Sequence, residues 1–471
     1  MSHAERPGAA ARTIWRSFLN LSAGELAARL ASFAALARLA RVLGRAGFGR
    51  LGLALTVVSY LLIPVAQGFD SVGIRDVARD RSRLNRYAGD ILSIRLASAL
   101  ATWTALAAVV YWLAPPMPAL ILLFGLTVFS AAASLKWAFQ AVEQTRPVAV
   151  AAILGQLSFA AGTLAVAGPE QLRWVPIWWL AGEAVGTVTL GVEFVRRFGP
   201  PHPSRKWESW RDLLKESSPL AASSVLGTLL FNFDVLALAH FRSSEEVGLY
   251  TALYRLVLVF AGLLTVFQLS LFPTLSRAYA AGRKPGAAGP ALRYLAALFV
   301  PIPFAGALAA PRLIRMLFGA EYSAGGATLQ ILLWSLPAMA LRSVFRILLV
   351  STNQQRRDLQ AVAAGAVANI TLDLALVPRL GTAGAAVSTL CSEAAILCQS
   401  WRYVRRYVEP VRVWEHLWRP AGASVLMLAA GWALSAAPLA AQAAVAAAVY
   451  LGILFFLGGL SWKEVALLAR G

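Results

Sequence analysis

Residues 91–113 read ILSIRLASALATWTALAAVVYWL, and residues 118–140 read PALILLFGLTVFSAAASLKWAFQ. Each stretch is long enough to cross a hydrocarbon core of roughly 30 Å as a helix, because a helix rises about 1.5 Å per residue. The connection between them is short, so the two stretches predict a helical hairpin. Since the same pattern recurs along nearly the whole chain, we predict an all-α polytopic membrane protein.

The composition agrees with this class. Of the 471 residues, 58% are hydrophobic and 14% are charged, which is too little polar surface for a soluble domain of this length. The net charge is +20. The basic residues lie mostly between the apolar stretches, so we attribute them to membrane topology and expect no nucleic-acid partner. Only two cysteines are present, which excludes a disulfide framework.

Hydropathy predicts about fourteen spans. Their expected bounds are 17–39, 49–67, 91–113, 118–140, 147–167, 175–195, 218–240, 248–270, 292–311, 327–349, 359–378, 383–403, 418–437 and 440–460. With both termini in the cytoplasm, the cytoplasmic connections carry about 28 Lys and Arg residues and the opposite side about 8. The reverse orientation would invert this bias. We therefore expect both termini to be cytoplasmic.

The longest connection, 197–217, divides the predicted spans into two sets. We expect an N-terminal lobe at 1–196, a cytoplasmic linker at 197–217, a C-terminal lobe at 218–403, and two further spans with a tail at 404–471. Within the linker, tryptophans and leucines fall on one helical stripe with charges opposite. This pattern is typical of a helix in the membrane interface, although a soluble connector helix fits it too.

Ionisable side chains deep in a membrane are costly, so they are functional candidates or are paired. Glu25 and Arg29 lie on one face of the first span, four residues apart. Their presence, and the lack of a small-residue cleavage site, argue against a cleavable signal peptide. We set aside the basic residues near predicted span ends, which can reach the interface: Arg95, Lys136, Arg342 and Arg346.

Four more charged residues are expected at depth. Asp234 in the seventh span and Arg255 in the eighth have matching depths in one hairpin, so we expect an ion pair between them. This pair is either structural or part of a transport site. Glu183 and Glu393 occupy the last span of each half, where each is a candidate proton or cation site.

Arg29 and Arg255 are the candidate substrate-binding residues. Two guanidinium groups in a water-filled cavity of low dielectric would bind a phosphate or pyrophosphate. The sequence contains no Walker loop, no HExxH motif, no cysteine pair with metal spacing and no Ser/His/Asp arrangement. We therefore expect neither a cofactor nor a metal centre, and no catalytic residue.

Several segments resemble the Wzx-type oligosaccharide flippases of the multidrug/oligosaccharidyl-lipid/polysaccharide exporter (MOP) superfamily. They are LARVLGRAGFGRLGLA at 39–54, GFDSVGIRDVAR at 68–79, NFDVLALAHFRSSEEVGLYTALYRL at 232–256 and LVPRLGTAGAAVSTLCSE at 376–393. The resemblance implies two six-helix lobes around a central cavity plus two C-terminal helices. It also implies alternating access in the bacterial inner membrane, with export of an undecaprenyl-pyrophosphate-linked oligosaccharide for surface polysaccharide synthesis.

The related MurJ flippases have cationic residues in their first, second and eighth helices, a placement that Arg29 and Arg255 match. Here Arg50 stands at the outer end of the second span, which argues against the peptidoglycan precursor as cargo. Membrane lipid and the polysaccharide polymerase or export machinery are the further partners that the resemblance implies.

Two alternatives remain open. A multidrug/cation antiporter of the same fold would favour an acidic, aromatic cavity over one with arginines. An integral membrane glycosyltransferase or polymerase would need a large outer loop with catalytic residues. The predicted outer loops are short, which argues against an enzyme.

Overall fold

The computed structural model describes residues 7–66, 68–113, 117–204, 206–280 and 288–459, without the side chains of 7–27, 219–220, 222–223 and 265–280. Within these ranges the chain is helical and contains no strand. The helices are α1 Pro7–Ala66, α2 Phe69–Arg79, α3 Leu84–Leu113, α4 Pro118–Gly125, α5 Thr127–Ala133, α6 Lys136–Ala141, α7 Thr145–Thr163, α8 Val175–Phe198, α9 Trp207–Phe241, α10 Ser244–Ala280, α11 Ala288–Phe299, α12 Pro301–Phe318, α13 Gly326–Ser351, α14 Gln355–Leu380, α15 Thr382–Tyr407, α16 Trp414–Ala433 and α17 Leu439–Phe456.

These helices account for fourteen spans. Ten continuous stretches of the described chain are long and apolar enough to cross a membrane by length and composition. The first of them holds two spans, because α1 breaks at Gly44, whose φ of 65° and ψ of 176° lie outside the helical region. The helices α7, α15 and α16 complete the set. The predicted all-α polytopic fold is confirmed.

Two spans are assembled from short helices. The fourth is α4 to α6, and its helix stops at Ser134, where the backbone is extended, before α6 begins at Lys136. The ninth is α11 followed by α12, with Pro301 at the start of the second piece. Neither proline nor glycine stands at the Ser134 break, so no residue there predicts it.

The chain divides into two compact units, Met1–Asn232 and Phe233–Gly471. In the first unit α7 packs against α1 and α8, and α3 packs against α5. An aromatic cluster at one end includes Phe69, Trp137, Phe139 and Phe194. In the second unit α15 packs against α13 and α14, and α16 pairs with α17.

The linker packs against the first unit at the start of α3. Asp90 is fully buried and accepts hydrogen bonds from the Ser204 backbone at 2.7 Å, the Ser204 hydroxyl at 2.8 Å, and the Ser209 hydroxyl and Trp210 indole at 3.0 Å. Leu213 is buried in the same aromatic cluster. The segment 197–217 was expected to carry a separate interfacial helix. In the structure this helix continues into the seventh span as α9, and the first compact unit ends within it, at Asn232.

Candidate functional site: a buried acidic cluster and a separate arginine

A buried acidic cluster lies in the second unit, where α9, α10, α14 and α15 each supply a side chain. Asp234 is 2% exposed, and its Oδ2 accepts hydrogen bonds from the Tyr250 hydroxyl and, at 2.8 Å, from the Thr389 hydroxyl. Asp373 has no exposed surface and interacts electrostatically with Asp234. Two carboxyl groups therefore lie together in the interior of this unit.

Several polar atoms of the cluster have no hydrogen-bond partner among the described residues. They are Asp234 Oδ1 and both amide atoms of the fully buried Asn369, whereas the carboxyl group of Asp373 lies within hydrogen-bonding range of Asp234 and of the Ser388 side chain. Buried polar atoms without partners are destabilising, by about 1–3 kcal/mol each. Two carboxylates, an amide oxygen and the Thr389 hydroxyl are also the oxygen ligands that hard cations prefer. The cluster has the chemistry to hold one cation, or one proton shared between the two acids.

Sequence reasoning found Asp234 but missed Asp373 and Asn369. A signal for them exists, because both fall inside the predicted span 359–378 and are four residues apart, which places them on one helical face. A carboxylate and an amide on one face of an apolar span are candidate functional residues for the same reason as Glu183 and Glu393.

The expected ion pair between Asp234 and Arg255 is not present among the described contacts. Tyr250 faces Asp234, and Arg255 follows Tyr250 by five residues, a rotation of about 140° around α10. Equal depth was therefore not enough to predict the contact, because the two side chains differ in direction. Arg255 is half-buried and has no ion pair or hydrogen bond within the described part of the chain.

Glu393 forms a buried ion pair with Arg342. The distance from Arg342 Nε to Glu393 Oε2 is 2.5 Å, and that from the second nitrogen to Oε1 is 3.1 Å. The two side chains are 13% and 3% exposed. The sequence predicts that Arg342 reaches the interface from a span end. In the structure it lies well inside α13 and neutralises the carboxylate of Glu393. Glu393 is thus held by an ion pair and one hydrogen bond between α13 and α15.

Arg95 is also expected from the sequence to reach the interface from a span end. In the structure its side chain is 4% exposed and contacts Asp70 of α2 at 2.8 Å. Reach to the membrane interface does not describe this residue. It joins the start of α2 to α3 by an ion pair.

The candidates of the first unit have different surroundings. Arg29 is exposed on α1, and the side chain of Glu25 lies outside the described residues. Glu183 lines a cavity of about 250 Å³ together with Ser134, Lys136, Gln156 and Thr187. The helix break at Ser134 therefore borders this cavity, as non-helical backbone at membrane depth does when it is shielded from lipid.

Comparison with known proteins identifies the family. The family model described as "Polysaccharide biosynthesis protein" matches residues 14–279, more than half of the chain. The chain belongs to the polysaccharide biosynthesis protein family. A second family model, "Lipid II flippase MurJ", matches residues 233–465. No curated protein matches the chain.

Solved structures confirm the fold. A structure of the lipid II flippase MurJ in an inward closed conformation has a TM-score of 0.73 and 14% identity, covering 93% of this chain and 98% of its own. An inward-facing multidrug resistance MATE transporter of the MOP superfamily has a TM-score of 0.62 and 14% identity, covering 82% and 95%. A MOP superfamily transporter from Pyrococcus furiosus has a TM-score of 0.56 and 12% identity, covering 83% and 95%. The resemblance to the Wzx-type flippases of this superfamily is confirmed.

Proposed function

We propose that this member of the family is an alternating-access flippase, not an enzyme, for an undecaprenyl-pyrophosphate-linked oligosaccharide. It would move this cargo from the cytoplasmic to the periplasmic leaflet of the bacterial inner membrane, with both termini cytoplasmic. Membership of the polysaccharide biosynthesis protein family supports an isoprenoid-linked sugar as the cargo. The polymerase or export machinery would receive the product.

The observation that carries the proposal is Arg255. It is half-buried inside a membrane-spanning helix and has no carboxylate partner among the described residues. A cation in such a place is costly unless an anion compensates it, and a pyrophosphate offers two bidentate acceptors to guanidinium groups. We assign Arg255 and Arg29 to pyrophosphate binding, with Glu25 as the neighbour that orients Arg29.

We assign ion coupling to the cluster of Asp234 and Asp373. The sequence-based candidates for this role also include Glu25, Glu183 and Glu393. Glu393 is compensated by Arg342, whereas the Asp234–Asp373 cluster has no basic partner among the described residues. Glu183 remains a candidate through its cavity. A cation or proton bound by Asp234 and Asp373 would favour one of the two access states, as differential binding requires.

Export in a flippase-null strain, and flipping in proteoliposomes, test the cargo assignment. The assay follows a fluorescent undecaprenyl-pyrophosphate oligosaccharide and its accessibility to a lectin outside the vesicle. We expect Arg255→Ala to abolish flipping, while Arg315→Ala, which removes an exposed arginine of α12, leaves it intact. Full flipping by Arg255→Ala at normal abundance would refute the pyrophosphate assignment.

A multidrug/cation antiporter is the second candidate, because the acidic cluster also suits an exchanger of cations. The same proteoliposomes separate the two functions. Uptake of a cationic dye that Asp234→Asn abolishes, without flipping of the lipid-linked sugar, would favour the antiporter. We expect the opposite result.

A further inference from the structure

A basic cavity of about 470 Å³ lies in the second unit, apart from the acidic cluster and from Arg255. It is formed where α11 begins, α16 begins and α17 ends. Its charged and aromatic lining residues are Arg293, Glu415, His416, Trp418 and Arg419. Its volume is in the range of sites that hold small ligands or lipid headgroups.

Basic side chains outnumber acidic ones among the residues that line this cavity. Arg293 and Arg419 both line it, and the carboxylate of Glu415 is engaged by the exposed Arg412 at 3.0 Å. His416 lines the cavity beside both guanidinium groups.

The geometry also leaves donors available for an anion. One terminal N–H group of Arg419 donates a hydrogen bond to the Gly458 carbonyl at 2.8 Å. The buried Nε of Arg419 has no hydrogen-bond partner within the described residues. The first turns of α11 and α16 meet at the cavity, and the unpaired N–H groups of a helix N-terminus favour an anion. Trp418 is 42% exposed beside them, with Arg419 over its ring. A half-exposed tryptophan next to arginine is typical of the membrane interface.

We propose that this cavity binds the phosphodiester headgroup of an anionic phospholipid of the cytoplasmic leaflet. The Lys and Arg bias assigns this end of the three helices to the cytoplasmic side. Basic pockets between membrane helices on that side are suited to anionic headgroups. Arg293 and Arg419 bind the phosphate, and the bound lipid holds α11 and α16 together. The site does not depend on the identity of the exported cargo.

Lipid binding to the full-length protein in neutral detergent tests the proposal. Native mass spectrometry and the thermal unfolding midpoint are measured with phosphatidylglycerol, with phosphatidylcholine, and with inorganic phosphate at equal concentration. We expect phosphatidylglycerol to bind at least tenfold more tightly than phosphatidylcholine and to raise the midpoint. Arg293→Gln should lower this affinity roughly tenfold, the effect of losing one charge-assisted hydrogen bond.

Arg405→Gln is the matched control. Arg405 is an exposed arginine in the last turn of α15, on the side assigned to the cytoplasm, and it does not line the cavity. This substitution should leave the affinity unchanged. Arg419→Gln also removes the hydrogen bond to the Gly458 carbonyl, so a loss of folding in that variant would not test lipid binding. The deciding variant is therefore Arg293→Gln. Equal binding of both lipids would overturn the proposal, as would equal losses in Arg293→Gln and Arg405→Gln. Full displacement of phosphatidylglycerol by inorganic phosphate would also overturn it, because the cavity would then be a simple anion site.

Discussion

The ion pair between Arg342 and Glu393 predicts a large, specific loss of stability on mutation of one partner. Glu393→Gln keeps the shape of the side chain and removes its charge, so Arg342 stays buried without a counter-charge. Their exposed fractions of 13% and 3% place both groups in the interior. Removal of one partner from such a pair costs about 3–5 kcal/mol.

The expected shift in the unfolding midpoint follows from the size of the unit. A unit of about 150–250 residues loses about 2–4 °C per kcal/mol, so the unfolding midpoint of Glu393→Gln should lie about 6–20 °C below that of the wild type. Glu415→Gln is the control, because it removes the same charge from a pair whose side chains are 82% and 58% exposed. An exposed pair contributes about 0–1 kcal/mol. The midpoint is read from thermal unfolding of the detergent-solubilised chain, by tryptophan fluorescence and by size-exclusion chromatography.

The double variant Arg342→Met with Glu393→Met separates structure from transport. Apolar side chains of similar volume should restore the free energy of unfolding to within about 1 kcal/mol of the wild-type value, since no uncompensated charge remains. Export should return with it if the pair is structural. If Glu393→Gln were no less stable than Glu415→Gln, the reasoning from burial would be refuted. Restored stability without restored export would instead give Glu393 the coupling role that we assign to Asp234 and Asp373.

Three further outcomes are expected. Gly89→Ala should weaken docking of the linker, because a Cβ there would lie 2.3 Å from the backbone of His202, and limited proteolysis of 199–217 should accelerate relative to Gly227→Ala, where the added Cβ meets nothing within 4 Å. Arg29→Lys should retain only part of the export of the wild type, since an ammonium lacks the bidentate geometry of a guanidinium, and steady-state cargo export at equal abundance measures it. A periplasmic reporter fused at position 205 should be inactive, and activity there would overturn the assigned topology.

The number of spans and their approximate bounds were predictable because membrane thickness fixes the length of an apolar helix. The same reasoning could not locate the break at Ser134, since an extended residue between α5 and α6 has no proline or glycine to announce it. Nor could it predict that Trp210 and Leu213 pack against the first unit, because hydropathy does not record tertiary contacts.

The candidate site was predictable in part: single buried charges were found, but Asp373, Asn369 and the pairing of the charges were not. Depth along a span follows from residue number, so Asp234, Arg255 and Glu393 were recognised as buried charges. Direction around the helix axis, and which neighbouring helix is met, depend on packing. For this reason Arg342 was assigned to the interface although it neutralises Glu393, and Asp234 was paired with Arg255 although it contacts Tyr250 and Thr389.

The separation of charges in the second unit is itself an argument for transport. This unit can bury a compensated pair, as the ion pair of Arg342 and Glu393 shows. It nevertheless keeps the acids Asp234 and Asp373 together, while Arg255 has no carboxylate partner among the described residues. Uncompensated charges lower the stability of the folded chain, so stability alone does not account for the arrangement. We infer that each charge is compensated by something that binds and leaves: a cation or proton at the acids, and an anionic headgroup at Arg255. Because both ligands would act on α10, through Tyr250 and Arg255, binding at one position would change the affinity at the other.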